Sequence, residues 1–302
     1  MAIIEIEGLH KSYGSIKALR NLDLSVAEGE IYGFLGPNGA GKTTAIKIIM
    51  SLLNPDVGRI RVKGIDVTEA GPDIRKYIGY LPERVALYEY MTVQKNLEFL
   101  CDLKGCPRDV IPHLLDDFKI KASKDTKVKT LSKGMLQRLG LAQTQIGDPD
   151  VLILDEPTSG LDPEIRRWVK KKIISMKKKG KTVFLSSHVL SEVQEICDRV
   201  GVISDGKLIA EDTVKNLSEK LHLEPRIEIS VDPIDEALKH VKSLKYIHRP
   251  RIEKELLVLY CTGKNKARLI HDLVDQGMEI DDVGIEEPDL EEVFVKIMEG
   301  EI

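Results

Sequence analysis

No apolar stretch in these 302 residues is long enough to cross a bilayer without interruption by charge, which excludes an integral membrane protein. Cysteine is scarce. Cys101, Cys106, Cys197 and Cys261 form neither a CxxC pair nor a zinc-ligand array, so a disulfide framework is excluded and all four read as reduced, structural thiols. Neither sign of charge dominates, with 45 Lys and Arg against 49 Asp and Glu for a net −4. That balance argues against nucleic-acid affinity built on a broadly basic surface, although a local patch is still compatible with it. Glu5 and Glu7 stand where a secretory leader needs an unbroken apolar core, so the chain is expected to stay in the cytosol. Solenoid or propeller repeats and low-complexity tracts are also missing.

What is present is length for roughly two domains of about 150 residues each, with 42% hydrophobic residues to fill their cores. The pattern of elements changes near residue 220, which divides the chain into residues 1–220 and 221–302. In the first part, short apolar runs at Ile31–Leu35, 151–154 and 182–185 alternate with longer helical patterns. This predicts an α/β fold with a mostly parallel sheet whose strands are dry on both faces. Between about 84 and 145 helical spacing takes over, with Val93, Leu97 and Leu100 at i, i+4, i+7, which predicts a helical insertion. In the second part, residues 226–231 read as extended, 234–244 as helical, 246–252 and 256–261 as extended, 267–276 as helical and 278–285 as extended. That β-α-β-β-α-β order is the split βαβ, ferredoxin-like pattern of a small α+β accessory domain, followed by a last helix over Leu290–Met298.

The strongest motif is Gly36, Pro37, Asn38, Gly39, Ala40, Gly41, Lys42, Thr43, which fits GxxxxGK[ST]. It lies between the apolar run Ile31–Leu35 and a helical pattern over 44–53 that opens with Thr44, the strand-loop-helix context such a loop requires. Glycines let successive N–H groups turn inward around phosphates, and the helix N-terminus adds partial positive charge. Lys42 would reach the β/γ-phosphates, and the Thr43 hydroxyl would ligate Mg²⁺. Further along, residues 151–154 end in Asp155 and Glu156. Ligands of open α/β sheets bind at the carboxyl ends of strands, so both carboxylates are directed to one site. Asp155 suits Mg²⁺, directly or through water, and Glu156 is the candidate base for an attacking water.

With both motifs in place, Leu131, Ser132, Lys133, Gly134 and Met135 resemble the LSGGQ signature, and residues 2–220 resemble the nucleotide-binding subunit of an ABC transporter. Tyr13, in KSYG, stands where that family stacks an aromatic on adenine, although a half-buried strand tyrosine would read the same. Ser159, Gly160, Leu161 and Asp162 match its D-loop, and His188, in LSSHVLSEV, matches its switch histidine. The resemblance implies a P-loop NTPase of the ABC type with a helical subdomain. It also implies that ATP and Mg²⁺ are sandwiched between two subunits, with Ser132 and Gly134 of one copy covering the phosphate loop of its twin. Membership would further imply a separate membrane permease as partner, a second ATP-binding subunit forming a homodimer, no nucleic acid, and a peripheral place on the cytoplasmic face of the membrane. A soluble ABC-type ATPase that acts as a switch on nucleic acid or ribosome is the alternative. The sequence lacks the second nucleotide domain, heptad arms and zinc-ligand cysteines usual in such relatives.

Three departures matter. Glu83 stands where the family commonly has Gln; a carboxylate there still ligates Mg²⁺ but adds negative charge near the γ-phosphate. Lys133 replaces the signature's first Gly, and its side chain either carries charge towards the partner's nucleotide or points into water. Met135 replaces the usual Gln. The variant signature and the Pro82-Glu83 pair resemble prokaryotic exporters of drugs, sodium and polysaccharides. Permease docking is expected between Arg84 and Leu103, where Leu87, Tyr88, Tyr90 and Met91 read equally as core. The lysines at 170–172 and 177–179 flank an apolar stripe of Ile165, Val169, Ile173 and Met176, which predicts that they occupy a solvated helix face.

Overall fold

The computed structural model describes residues 1–221, 223–262 and 265–300. It divides into two units, Met1–Thr213 and Val214–Ile302. In the first unit, β1 (Ala2–Tyr13) and β2 (Ile16–Ala27) form an antiparallel hairpin. They are followed by β3 (Ile31–Leu35), α1 (Lys42–Ile49), β4 (Val57–Val62), β5 (Ile65–Asp66) and α2 (Val67–Ala70). Next come β6 (Ile78–Leu81), the helices α3 (Val93–Lys104), α4 (Ile111–Asp117) and α5 (Lys133–Gln143), then β7 (Val151–Asp155) and α6 (Pro163–Lys178). The unit ends with β8 (Thr182–Ser187), α7 (Leu190–Ile196), β9 (Arg199–Ser204) and β10 (Lys207–Asp212).

Two sheets result. One is antiparallel in the order β2-β1-β4-β5. The other runs β10-β9-β3-β8-β7-β6, parallel throughout except where β10 turns back on β9. All of β3, β7 and β8 is buried, which is why these strands read as unbroken apolar runs. A shared core that includes Ile4, Ile6, Leu22, Leu24, Phe34, Ile46 and Phe184 packs the antiparallel sheet and α1 onto the parallel one. Register decides the rest: Leu35 is level with Ser187, Asp155 with Ser186, and Leu81 with Leu154. The carboxyl ends of β3, β6, β7 and β8 therefore share one rim.

Several elements differ from the sequence expectation. Gly41, at φ +111°, ends the loop, so α1 begins at Lys42 and closes at Ile49 before Ser51 turns to φ +51°, which makes it shorter than the 44–53 pattern. In α3, Val93 and Leu97 are buried with Asn96 and Cys101, whereas Leu100 is only half-buried. Asn96 earns its place inside by accepting from the Tyr88 N–H at 2.9 Å and donating to the Tyr88 and Thr92 carbonyls at 3.1 and 3.0 Å. Lys172 is not on a solvated face. It is buried, ion-paired to Asp117 at 2.5 Å, and stands 4.2 Å from the centroid of the Phe118 ring.

The second unit begins at α8 (Val214–Lys220), earlier than residue 221, because α8 packs with the last helix. It continues with β11 (Arg226–Asp232), α9 (Ile234–Val241), β12 (His248–Glu253), β13 (Leu256–Tyr260), α10 (Lys266–Asp275), β14 (Glu279–Glu286) and α11 (Leu290–Met298). The strands form an antiparallel sheet in the order β12-β13-β11-β14, the topology of a split βαβ unit. Ile227, Ile229, Leu257 and Leu259 face Ala237, Val241, Leu269 and Leu273 in a separate core.

Candidate functional site

The phosphate loop is shaped by close contacts that only glycine permits. A Cβ on Gly36 would lie 2.3 Å from the Ile203 carbonyl oxygen, and one on Gly41 would lie 2.5 Å from that of Ala18. The Gly206 N–H donates to the Ala40 carbonyl at 3.0 Å, and the Arg20 N–H donates to Gly206 at 2.8 Å. The loop is thus clamped between β2 and the β9–β10 turn. No side chain caps α1, so the N–H groups of its first turn stay free for an anion. Lys42 is 7% exposed and curls back to donate from Nζ to the Gly36 and Pro37 carbonyls at 2.5 and 3.2 Å. Burial pulls its ammonium below the ordinary lysine range, opposed by the charges of Glu156 and Asp155.

Asp155 closes β7 at 5% exposure and accepts from the Ser186 hydroxyl at 2.5 Å. Burial raises its carboxyl above the ordinary range; the Ser186 bond opposes this and the charge of Glu83 adds to it. The next residue turns out of the strand. Glu156 has φ +50°, a conformation costing about 1–3 kcal/mol for a non-glycine residue, and its N–H is held by the carbonyl and hydroxyl of Ser186, both at 3.2 Å. Its Oε2 lies 2.8 Å from Nδ1 of the half-exposed His188, just beyond the end of β8. This pairing uses an Nδ1 proton, so Nε2 donates only from an imidazolium and accepts in the neutral ring.

These groups converge on a cavity of about 570 Å³. Pro37, Asn38, Gly39, Gly41, Lys42, Thr43, Thr44, Glu83, Asp155, Glu156 and His188 line it, while Gly36 and Ala40 hold the loop from behind. Thr43, Asp155 and Glu83 present hard oxygen donors, and the mutual effect of two converging carboxylates favours a cation between them. Among the described residues no cluster of three or more His, Cys, Asp or Glu is placed to hold a metal alone. An ion held here would need oxygen donors from outside these side chains to complete its shell. Tyr80, half-buried behind this end, has its hydroxyl pushed up to about 12, first by burial and then by Asp155 and Glu83.

Besides Gly36 and Ala40, four expected residues stand outside the cavity. Tyr13 is 48% exposed with the Lys11 ammonium 5.9 Å from its ring centroid, and its neighbours Ser15 and Ile16 line the cavity instead. Ser132 caps α5, its hydroxyl accepting from the Met135 N–H at 3.3 Å, and Gly134 lies so close to α6 that a Cβ would meet Ile165 Cγ1 at 2.9 Å. Asp162 precedes α6 without a side-chain cap bond. Sequence reading also missed part of the lining: Ser15, Ile16, Lys17, Ala18 and Arg20 from the hairpin, and Asp205 from the β9–β10 turn. No motif marks them, since only the clamp on Ala40 and Gly41 carries them to the loop.

The sequence model of the ABC transporter family matches residues 19–159. The daunorubicin resistance ATP-binding protein DrrA3 of Streptomyces coeruleorubidus is 36% identical over 308 residues, covering 97% of this chain and 95% of that protein. The bacitracin transport ATP-binding protein BcrA of Bacillus licheniformis is 33% identical over 304 residues, covering 99% and 98%. Among solved structures, the ATP-binding cassette MJ0796, a dimer in a post-hydrolysis state bound to ADP and Pi, superposes with a TM-score of 0.65 at 25% identity. That alignment covers 70% of this chain and 98% of the cassette.

Proposed function

This chain belongs to the ABC transporter ATP-binding family, and on that premise we propose that it is the ATP-hydrolysing subunit of an exporter, working as a homodimer beneath a separate membrane permease. Export is supported by the drug-resistance and antibiotic-transport relatives. No helix among the described residues is long and apolar enough to cross a membrane, which fits a peripheral place on the cytoplasmic face beside a permease that supplies the spans. Arg84 to Leu103 is the proposed docking segment, where Tyr88 and Tyr90 are 54% and 76% exposed.

One observation carries the hydrolytic reading. Glu156, the phosphate loop and His188 open on a single cavity, while the Ser132 turn stands outside the cavity of its own copy. A site with a grip, a base and no lid is half a site, and the partner's serine turn is the lid. Entering phosphates meet the free N–H groups of α1, and Lys42 exchanges two carbonyl acceptors for phosphate oxygens, a stronger charge-assisted contact. Mg²⁺ bound among Thr43, Asp155 and Glu83 would supply charge neutralisation at the β- and γ-oxygens. Glu156 then orients the attacking water and takes its proton, for which it must exchange its bond with His188. The imidazole released in that exchange turns to the γ-phosphate and reports its presence.

Glu156→Gln tests this directly. Turnover should fall by about 10²–10⁴, the usual range for a positioned base, with ATP still bound and closed dimers accumulating. Unaltered turnover would remove Glu156 from the role of base.

A further inference from the structure

Lysines gather on one surface of the helical insertion. Residues 89–94 run antiparallel beside residues 124–129, with Thr92 paired across to Lys127. The Lys129 N–H donates to the Glu89 carbonyl, the Val128 N–H to Met91 and the Val93 N–H to Thr126, each at 3.0 Å. Alternation sorts the side chains of this ribbon. Val93 and Val128 are buried and Met91 is half-buried, whereas Tyr90, Lys127 and Lys129 are exposed. The Lys129 ammonium stands 4.9 Å from the centroid of the Tyr90 ring. Lys124, whose carbonyl accepts from the Gln94 N–H at 2.9 Å, and Lys95, in the first turn of α3, add two further exposed cations. Glu89 and Asp125 are the exposed carboxylates of the ribbon, so four lysines stand against two acids.

None of these four lysines has a carboxylate partner among the described residues. On α6, by contrast, Lys170 pairs with Glu195, Lys172 with Asp117 at 2.5 Å and Lys177 with Asp198 at 2.5 Å. There internal carboxylates answer the charge, whereas on the ribbon it is open to an anion from outside. Tyr90 and Tyr88, 76% and 54% exposed beside the lysines, supply the amphipathic rings that settle at a membrane–water boundary. A flat anionic surface also suits the rest of the molecule. The chain's net charge of −4 repels a long polyanion that would wrap round it, but a bilayer meets one face only. We propose that this ribbon rests on the anionic headgroups of a phospholipid bilayer, with the four ammonium groups over phosphates and the Tyr90 ring at headgroup level. Residues 89–94 belong to the segment proposed to meet the permease, and 124–129 continue that surface beyond it, where a permease is bordered by lipid. This contact goes beyond the permease reading and requires no permease.

Flotation of the full chain with vesicles tests the contact, using phosphatidylglycerol mixed with phosphatidylcholine beside phosphatidylcholine alone, at rising salt. The wild type should bind the anionic vesicles only, and less tightly as salt rises. In Lys127→Gln/Lys129→Gln the affinity should fall about 25-fold, about fivefold for each lysine at a charged surface, and Lys127→Arg/Lys129→Arg should restore it. Lys171→Gln/Lys178→Gln removes the same net charge from exposed positions on α6 and should bind as the wild type does. Melting curves and ATP binding confirm that each variant is folded. Binding that ignores lipid charge, no binding at all, unchanged affinity in the ribbon pair, a loss that arginine fails to restore or an equal loss in the α6 pair would each overturn the proposal. So would binding to a single-stranded oligonucleotide with none to vesicles, which would give the surface to nucleic acid. Since the vesicles hold no permease, each of these failures leaves the transport and hydrolysis readings standing.

Discussion

Replacing Gly41 by alanine should cost far more than the same change at Gly39, two positions away in the same loop. Both have positive φ, +111° and +83°, so each substitution carries backbone strain of about 1–3 kcal/mol. The difference lies in the space around them. A Cβ on Gly39 meets nothing within 4 Å, whereas one on Gly41 would lie 2.5 Å from the Ala18 carbonyl oxygen and 2.9 Å from Leu19 Cδ2. Ala18 lies at an irregularity of the β1–β2 ladder, but its carbonyl is main chain rather than the far end of a flexible side chain, so overpacking adds about 1–3 kcal/mol, for a total of about 2–6. Against a domain stability of about 5–15 kcal/mol this is a large fraction. At about 2–4 °C per kcal/mol for a unit of this size, Gly41→Ala should melt about 4–24 °C below the wild type, and lower than Gly39→Ala. The single tryptophan, Trp168, lies in α6, so its fluorescence reports the melting of the unit that holds the loop. Equal costs for the two substitutions would show that the clamp by β2 does not shape the loop.

Two further outcomes follow from the same geometry. Burial raises the Asp155 carboxyl, so in the nucleotide-free protein its ionised form penalises the native state at pH 7; the penalty vanishes as pH falls through the raised value towards the ordinary carboxylate range near about 3.9. Asp155→Asn, which keeps an acceptor for Ser186, should therefore raise the melting midpoint at pH 7, with a gain that shrinks towards pH 4; a gain that grew in acid would reverse the assigned sign. Ser132→Arg should leave ATP binding by a single copy intact, because Ser132 lies outside its own cavity, and should block ATP-driven pairing in sedimentation. Normal pairing of that variant would contradict the lidded site.

Much of the site was legible because its chemistry is local. Gly36 to Thr44 must be contiguous main chain to wrap a phosphate, and Asp155 and Glu156 follow an apolar run because a buried strand carries them there. Tyr13, Ser132, Gly134 and Asp162 are legible as motif members, yet the single copy leaves them outside the cavity. Hairpin residues 15–20 and Asp205 carry no pattern of their own, and the Asn96 and Lys172 side chains are buried against the usual preference of their types. Each found a partner inside, in the Tyr88 main chain and in Asp117, that spacing along the chain does not reveal.

By itself the sequence determined which short segment carries the glycines of a tight strand-to-helix loop, which runs are dry on both faces and which carboxylates end them. These properties depend on residues a few positions apart. Only the tertiary structure decided that β3 lies between β8 and β9, that β2 crosses the loop at Ala18 and that Glu156 rests on His188. Strand order and side-chain contact are set by which apolar faces bury one another across long stretches of chain, and that balance leaves no trace in local periodicity.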